Sequence, residues 1–257
     1  MTADKPTDAP AFHSSRAHGS GWFGPGKLPT TRFILFGGDR CGKSILVELL
    51  LQYGLVVCDR NLLANRCFFP LWHLHRQALR SQVDLYGFQL SSNDVLEGQR
   101  LREPSDFLQL LHQQGYCIIH LHRQDIMRHA VALLKAQQPL AVPTLKRQPI
   151  EIPPDALLAQ LAQLEQQRLE ETAILAPVPH LRITYETDLL DPNQHPQTTQ
   201  RLSEFLGESW SSQPRINLRL VHHQIADLIA NYDEVRQALE QSDYAYVLSA
   251  RSMQLVI

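Results

Sequence analysis

The sequence predicts an α/β protein of three layers, in which a central parallel sheet is covered by helices on both faces. Two observations lead to this prediction. After Arg32, short apolar runs typical of buried strands alternate with longer segments of helical periodicity. The first of these runs, Arg32–Phe36, leads into a glycine-rich turn, and a helix is predicted to follow over Lys43–Leu51.

The other elements follow from the same two patterns. Further strands are predicted at 55–58, 116–121 and 181–185, and further helices at 62–79, 104–114, 124–138, 155–175, 198–206 and 221–239. The stretch 81–99 has no clear period, because Gly87, Asn93 and Gly98 interrupt it. Residues 141–154 carry four prolines and are predicted to form a loop.

The first thirty residues differ in composition from the rest of the chain. They are rich in Pro, Gly, Ser, Thr and His and contain few apolar residues. Such a composition cannot bury enough apolar surface to fold alone. We therefore expect a flexible tail over 1–30 and one α/β domain over 31–257.

The turn after the first strand has the spacing of a phosphate-binding loop. Gly37, Gly42, Lys43 and Ser44 fit G-x-x-x-x-G-K-[ST]. Backbone N–H groups of such a loop can surround a phosphate, and the N-terminus of the following helix adds partial positive charge. Lys43 can reach a terminal anionic group, the Ser44 hydroxyl can bind a phosphate oxygen or a metal, and Arg40 adds a cation. The segment therefore predicts a P-loop-like site for a phosphate compound of unspecified kind.

A second basic segment follows the predicted strand 116–121. His122, Arg123, Arg128, His129 and Lys135 come directly after its carboxyl end. Ligands of open α/β sheets bind beyond that edge, so Arg123 and Arg128 are expected on the same edge as the first loop. The planar guanidinium suits a phosphate dianion. Alone, these residues are typical of a solvated basic helix face, but two anion sites on one edge predict a ligand with two separate phosphates.

These motifs, in this order, resemble those of sulfotransferases that use 3′-phosphoadenylyl sulfate (PAPS), most closely the bacterial, often cyanobacterial, branch. The loop Arg40–Ser44 is similar to the family loop R-S-G-T-[ST], and Arg123 with its following helix is similar to the second family motif. Ile183–Glu186 resembles a Y-E-D-L-like stretch that precedes a helix ending in F-L-G. The resemblance extends over about Arg32 to Leu248.

The resemblance implies transfer of a sulfuryl group from PAPS to a hydroxyl or amine, leaving adenosine 3′,5′-bisphosphate (PAP). The acceptor would be a small molecule, a carbohydrate or a peptide. The family's first loop holds the 5′-phosphosulfate, and its second motif holds the 3′-phosphate. The corresponding cofactor-binding residues here are Gly38, Arg40, Cys41, Gly42, Lys43, Ser44, Arg123 and Arg128, with Lys43 and Arg40 also expected to act in catalysis.

Four positions depart from the family pattern. Cys41 and Lys43 replace the usual Ser and Thr of the loop, and Ala132 stands where the second motif has a phosphate-binding Ser. Asn61 stands where related sequences have the glutamate that acts as general base. An asparagine side chain cannot take a proton from a hydroxyl at neutral pH.

The candidates for a substitute base are Asp59, the nearest in sequence, and His73 or His75. Two other functions therefore stay open. One is a catalytically impaired homologue that binds PAPS or PAP. The other is an ATP-dependent small-molecule kinase, which the glycine-loop spacing favours and in which Asp59 would hold magnesium. The absence of an acidic residue after the strand at Ile118 disfavours the kinase.

Composition limits the remaining possibilities. The formal net charge is −2, which gives no general case for binding to nucleic acid or to an anionic membrane, so any anion binding must come from local clusters. No apolar stretch is long enough to span a membrane, and the N-terminus has no apolar core of a secretory signal. Four cysteines without paired spacing are expected to be free thiols in the reducing cytoplasm, and the histidine pairs 73/75 and 222/223 have no partners for a metal site.

The acceptor itself cannot be predicted. An acceptor pocket is expected to come from the loops within 61–102 and 139–154. Several aromatic side chains in the first of these regions hint at an apolar acceptor, although aromatic residues belong more often to the core. These residues are Phe68, Phe69, Trp72, Tyr86 and Phe88.

Overall fold

The fold is built around a five-stranded sheet in the order β2-β3-β1-β4-β5, in which every neighbouring pair is parallel. A computed structural model describes residues 27–52, 56–60, 62–99, 101–138, 149–210 and 224–249. The strands are β1 (Thr31–Phe36), β2 (Val56–Asp59), β3 (Leu85–Leu90), β4 (Tyr116–His122) and β5 (His180–Thr184). The helices are α1 (Lys43–Leu51), α2 (Pro70–Ser81), α3 (Pro104–Gln113), α4 (Ile126–Gln137), α5 (Pro154–Leu175), α6 (His195–Leu206), α7 (Tyr232–Glu240) and α8 (Tyr246–Ser249).

Helices cover both faces of the sheet, which confirms the predicted three-layer architecture. Strand β1 is central and carries buried side chains on both faces, as a parallel sheet requires. Phe33 and Leu35 pack with α1 and α6, whereas Ile34 and Phe36 pack with α2, α3 and the end of α5. The alternation follows from the two-residue period of a strand.

A third apolar cluster joins α4, α5, α7 and α8. The predicted core side of α5 is confirmed for Leu157, Leu161 and Leu164, which are buried, while Leu158 is partly buried. The helix has 22 residues and is therefore about 33 Å long at 1.5 Å per residue. Its length brings the polar residues of its second half next to the glycine loop.

Two predictions of local structure were wrong in extent, and one stretch that had no prediction contains a strand. The helix predicted at 62–79 begins only at Pro70, because proline favours the first helical turn and disfavours a position inside a helix. The stretch 81–99, where no pattern was clear, contains strand β3. The described part of 221–239 holds a 3₁₀ turn at Ile225–Leu228 and then α7, with Asn231 between them.

The predicted core aromatics divide into two groups. Tyr86 and Phe88 are fully buried in β3. Phe68 and Phe69 were expected in the core but are 90% and 72% exposed, and Trp72 is 45% exposed. The late start of α2 explains the difference, because the two phenylalanines precede the helix and do not lie on its buried face.

The predicted tail is only partly described. Residues 1–26 lie outside the described residues. Of the four that follow, Leu28 packs against the core cluster on the α2 and α3 face, and Pro29 is buried. The folded body therefore begins before Thr30. Within the described ranges, no helix combines the length and the apolar character needed to cross a membrane.

Candidate functional site

The glycine loop, residues 37–42, connects the carboxyl end of β1 to α1. Gly37 and Gly42 have φ angles of 149° and 107°, which favour glycine. A Cβ on Gly37 would lie 2.4 Å from the Leu121 carbonyl oxygen, and one on Gly42 would lie 2.4 Å from the Tyr185 ring. Glycine is therefore required at both positions for two reasons: the backbone conformation favours it, and neighbouring residues leave no room for a Cβ.

Side chains from α1, from the turn after β4 and from α4 donate hydrogen bonds to the carbonyl groups of this loop. Lys43 Nζ donates to the Gly37 carbonyl at 2.9 Å, and Arg123 Nη1 donates to that of Arg40 at 2.9 Å. His129 Nε2 donates to the carbonyl of Asp39 at 2.6 Å. In contrast, no backbone N–H group of residues 38–42 donates a hydrogen bond to another described residue. The loop therefore has free N–H donors, which is the condition for binding an anion.

The charged and reactive side chains of the loop differ in exposure. Lys43 is buried, whereas Arg40 and Ser44 are exposed. Cys41 is buried, and burial raises the pKa of its thiol to about 11 against the opposing attraction of Lys43. A neutral buried thiol is a poor nucleophile, so Cys41 is a packing residue of the loop.

The basic segment after β4 meets the glycine loop, as the sequence predicted. Besides its bond to the loop, the Arg123 guanidinium lies 4.9 Å from the Tyr185 ring centroid, and its Nε lies 3.8 Å from Glu186 Oε1. The Glu186 carboxylate also accepts hydrogen bonds from the N–H groups of Gln124 at 2.7 Å and Asp125 at 3.1 Å. A carboxylate of the chain itself thus binds two backbone N–H donors at this junction.

Arg128 lies one turn into α4, close to the same junction. Its Nε lies 3.2 Å from Asp125 Oδ2, and its backbone N–H donates to Asp125 Oδ1 at 2.8 Å. Asp125 is therefore the N-cap of α4. The structure brings Arg123 and Arg128 to the predicted edge, and both arginines already interact with carboxylates there.

The predicted base Asp59 ends β2, on the same edge as the loop. Its Oδ2 accepts a hydrogen bond from the Tyr86 hydroxyl at 2.7 Å. The strand register pairs Asp59 with Phe88 and Phe88 with Ile34, so Asp59 stands two strands from β1. Two strand spacings are about 10 Å, so an acceptor would have to lie between Asp59 and Lys43. Asn61 lies outside the described residues.

The alternative base His75 is buried in α2, on the core face. Its ring stacks on that of Tyr116 at 5.8 Å with an interplanar angle of 7°. Burial, assisted by Arg32, lowers its pKa to about 4. His75 is therefore neutral at pH 7 and packed inside the core. His73 is half-buried on the same helix.

A buried acidic residue next to the loop was missed by sequence analysis. Glu171 of α5 accepts hydrogen bonds from Ser92 Oγ at 2.8 Å and Gln167 Nε2 at 3.1 Å, and its Oε2 lies 3.4 Å from His120 Nε2. Burial raises the pKa of Glu171, but these hydrogen bonds outweigh burial and hold the pKa below its ordinary value. A Cβ on Gly38 would lie 2.6 Å from Gln167 and 3.5 Å from Glu171. Helix α5 therefore packs directly against the loop at Gly38.

The sequence contained only a weak signal for this group. Gln167 and Glu171 are four residues apart on the polar face of a glutamine-rich helix, where an exposed face is the usual expectation. Arg168 of the same helix donates to the carbonyl of Arg123 and, at 3.2 Å, to that of Gln124. A cavity between Gly38, His129, Arg168 and Glu171 has room for about one water molecule.

The site combines free loop donors, a buried lysine and an arginine junction, and it can bind an anionic ligand at the carboxyl edge of the sheet. No cluster of three or more metal-ligating side chains occurs in the part of the chain that the structure describes. A comparison with protein-family models found no family that matches the chain, and a comparison with curated proteins found no match.

Proposed function

We propose that the protein is a sulfotransferase that moves a sulfuryl group from PAPS to a hydroxyl or amine of a small-molecule, carbohydrate or peptide acceptor. The observation that supports this proposal most is the hydrogen bond from Arg123 to the Arg40 carbonyl. It joins the glycine loop and the basic junction after β4 into one continuous edge. That edge suits a ligand with two separate anionic groups.

The residues of the loop fit the phosphosulfate end of PAPS. The free N–H groups of residues 38–42 can bind its oxygens, with Lys43 and Arg40 as the neighbouring cations. Arg123 and Arg128 would hold the 3′-phosphate at the junction. Because Glu186 already accepts from two backbone N–H groups there, its carboxylate must move aside or the phosphate must bind to the outer donors of the arginines.

When bound, PAPS would supply the sulfuryl group; its sulfur–oxygen bond to phosphate would break and PAP would be released. Lys43 stabilises the negative charge that develops on that phosphate oxygen, together with Arg40 and the loop N–H groups. Asp59 takes the proton from the acceptor hydroxyl or amine as this group bonds to sulfur. The Tyr86 hydroxyl fixes the orientation of the Asp59 carboxylate.

The proposal is tested by calorimetric titration with PAP and AMP. The affinity for both ligands should fall in Lys43→Ala and in Arg40→Ala, because each substitution removes a cation from the 5′ site. Arg123→Ala should lower the affinity for PAP by roughly tenfold to a hundredfold, since a charge-assisted hydrogen bond contributes about 1.5–3 kcal/mol. The affinity for AMP should fall far less.

The control for this experiment is Arg236→Ala, which removes a half-exposed arginine of α7 whose ion pairs, among the described residues, are with Asp233 and Glu240 of its own helix. It should leave both affinities unchanged. Loop variants that bind like the parent would show that the loop is not the 5′ site. Equal losses for PAP and AMP in Arg123→Ala would show that Arg123 supports the loop or a generic basic edge and does not bind the 3′-phosphate. Release of PAP from PAPS with a panel of acceptors, lost in Asp59→Asn, tests turnover.

Two alternatives make different predictions in the same assays. A catalytically impaired homologue would bind PAP tightly and release none from PAPS; the position of Glu186 at the junction favours it. An ATP-dependent kinase would bind ATP in a magnesium-dependent manner better than PAP. Glu171 provides an acid near the loop for that function, but both of its oxygens already have partners.

A further inference from the structure

A basic aromatic surface is formed by residue 60 and residues 62–82, the described part of the segment that links β2 to β3 through α2. Phe68 and Phe69 precede the helix, and Trp72 lies in its first turn; they are 90%, 72% and 45% exposed. Taking about 200 Å² for a fully exposed aromatic residue, the three expose roughly 400 Å². A patch of that size is comparable to the largest apolar patch of an ordinary folded protein, and such patches often serve as interaction surfaces.

The charge of this segment is unusual for a chain with a net charge of −2. Residues 60–83 contain four arginines and no aspartate or glutamate. All four side chains are exposed, and none forms an ion pair with a carboxylate among the described residues. The arginines are Arg60, Arg66, Arg76 and Arg80.

The helix places part of this charge in line with the aromatic residues. Trp72, Arg76 and Arg80 are exposed at four-residue intervals and therefore share one outer face of α2. The opposite face is buried through Leu74 and Ala78. The result is a helix whose outer face is basic and whose N-terminal end carries exposed aromatic rings.

We propose that this surface docks on an anionic lipid bilayer, with Phe68 and Phe69 inserted at the headgroup boundary and the arginines on lipid phosphates. Aromatic residues favour that boundary, and arginines next to it are attracted to anionic lipids. Phe68 lies in no groove, since it is almost wholly exposed, and a fluid bilayer requires no preformed pocket. The proposal is independent of the function proposed above.

Single-stranded nucleic acid is the other class of partner that, like an anionic bilayer, carries the negative charge that suits this surface. Its bases stack on aromatic ring faces along a basic groove. The Arg76 guanidinium carbon lies 5.0 Å from the Trp72 ring centroid and covers one face of this ring. That arrangement is suited to a membrane boundary, where the guanidinium reaches the phosphates while the ring stays in the apolar layer.

Topology gives the docked surface a defined relation to the glycine loop. The segment leaves β2 at its carboxyl end, and all strands are parallel, so the N-terminal end of α2 lies on the same edge as the loop. Insertion of the two phenylalanines would turn this edge toward the bilayer.

Vesicle flotation of the full chain tests the proposal. The vesicles are phosphatidylcholine alone and phosphatidylcholine with about one-third phosphatidylglycerol. The parent should bind only the anionic vesicles, less so when salt is raised to about 1 M, because salt screens exposed charges. Arg76→Gln/Arg80→Gln should lower the partition coefficient roughly 25-fold, at about fivefold for each arginine. Phe68→Ser/Phe69→Ser should lower it tenfold or more, as expected for removing buried aromatic area.

The matched controls are Leu169→Ser, which removes a leucine that is 67% exposed on α5, and Arg236→Gln on α7. Both should bind as the parent does. The proposal is overturned if the parent does not bind anionic vesicles, or if controls and patch variants lose binding equally. It is also overturned if the patch variants abolish binding to oligo(dT) or self-association in solution while vesicle binding is absent or unchanged.

Discussion

Replacing Gly42 with alanine should destabilise the fold much more than the same change at Gly207. Both glycines have positive φ angles, 107° and 68°, where a Cβ costs about 1–2 kcal/mol. At Gly207, which ends α6, the new Cβ would meet nothing within 4 Å. At Gly42 it would lie 2.4 Å from Tyr185 Cδ2, and such overpacking adds about 1–3 kcal/mol.

The expected losses are therefore about 2–5 kcal/mol for Gly42→Ala and about 1–2 kcal/mol for Gly207→Ala. For a chain of this size they correspond to falls in Tm of about 10 °C and about 4 °C. Urea unfolding followed by circular dichroism measures the free energies, and calorimetry measures Tm. Titration of the parent and the variant with PAP then tests the proposed role of this loop in anion binding.

A double-mutant cycle with Tyr185→Ala separates the two causes. In that background the ring is absent, so Gly42→Ala should lose only the backbone contribution, and the coupling energy should be about 1–3 kcal/mol. The reasoning would be refuted if Gly42→Ala cost no more than Gly207→Ala. It would also fail if the cost were the same with and without the tyrosine ring.

Three further predictions concern the pH dependence of stability, the arginine junction after β4 and the N-terminus. His75 has a pKa of about 4 in the folded state, below its ordinary value of 6.5, so it stabilises the fold above pH 6.5 and loses this contribution as pH falls toward 4. His75→Phe should therefore reduce the fall in unfolding free energy between about pH 7 and pH 5 by about 2 kcal/mol, and an unchanged pH slope in urea titrations would contradict this. Glu186→Gln should raise the affinity for PAP several-fold, because it removes a negative charge that competes with the phosphate. A weaker affinity in calorimetry would instead mean that the carboxylate positions the arginine junction. Removing residues 1–26 should leave Tm nearly unchanged, whereas removing 1–30 takes away Leu28 and should lower it by a few degrees; equal Tm values would show that Leu28 contributes nothing.

The first strand, the glycine loop and α1 could be predicted because their structure depends on contiguous residues. The apolar run of β1 is buried on both faces, and Lys43 begins α1 as predicted. The glycines were placed by spacing alone, and both have the backbone conformations that the motif requires. The partner that requires Gly42, the ring of Tyr185, is more than a hundred residues away and leaves no local signal.

Elements that depend on distant packing were predicted poorly. Gly87 interrupts the two-residue period of β3, so the sequence did not predict this strand. Glycine is required there because a Cβ on Gly87 would lie 2.3 Å from the Phe33 ring. Asn231 breaks the predicted last helix, since its side chain exchanges two hydrogen bonds with the backbone of Ile152 at 2.9 Å each. Neither contact can be inferred from a periodic pattern.

The same distinction applies to the candidate site. Arg123 could be placed at the correct edge, because a residue that follows a parallel strand must lie there. What it contacts could not be predicted: its guanidinium binds the loop, lies against Tyr185 and faces Glu186, all of which come from other parts of the chain. Arg123 therefore supports the shape of the loop as well as the charge of the junction. A loss of PAP affinity in Arg123→Ala can arise from either role, and AMP separates them: a distorted loop weakens both nucleotides, whereas a missing 3′-phosphate contact weakens PAP alone.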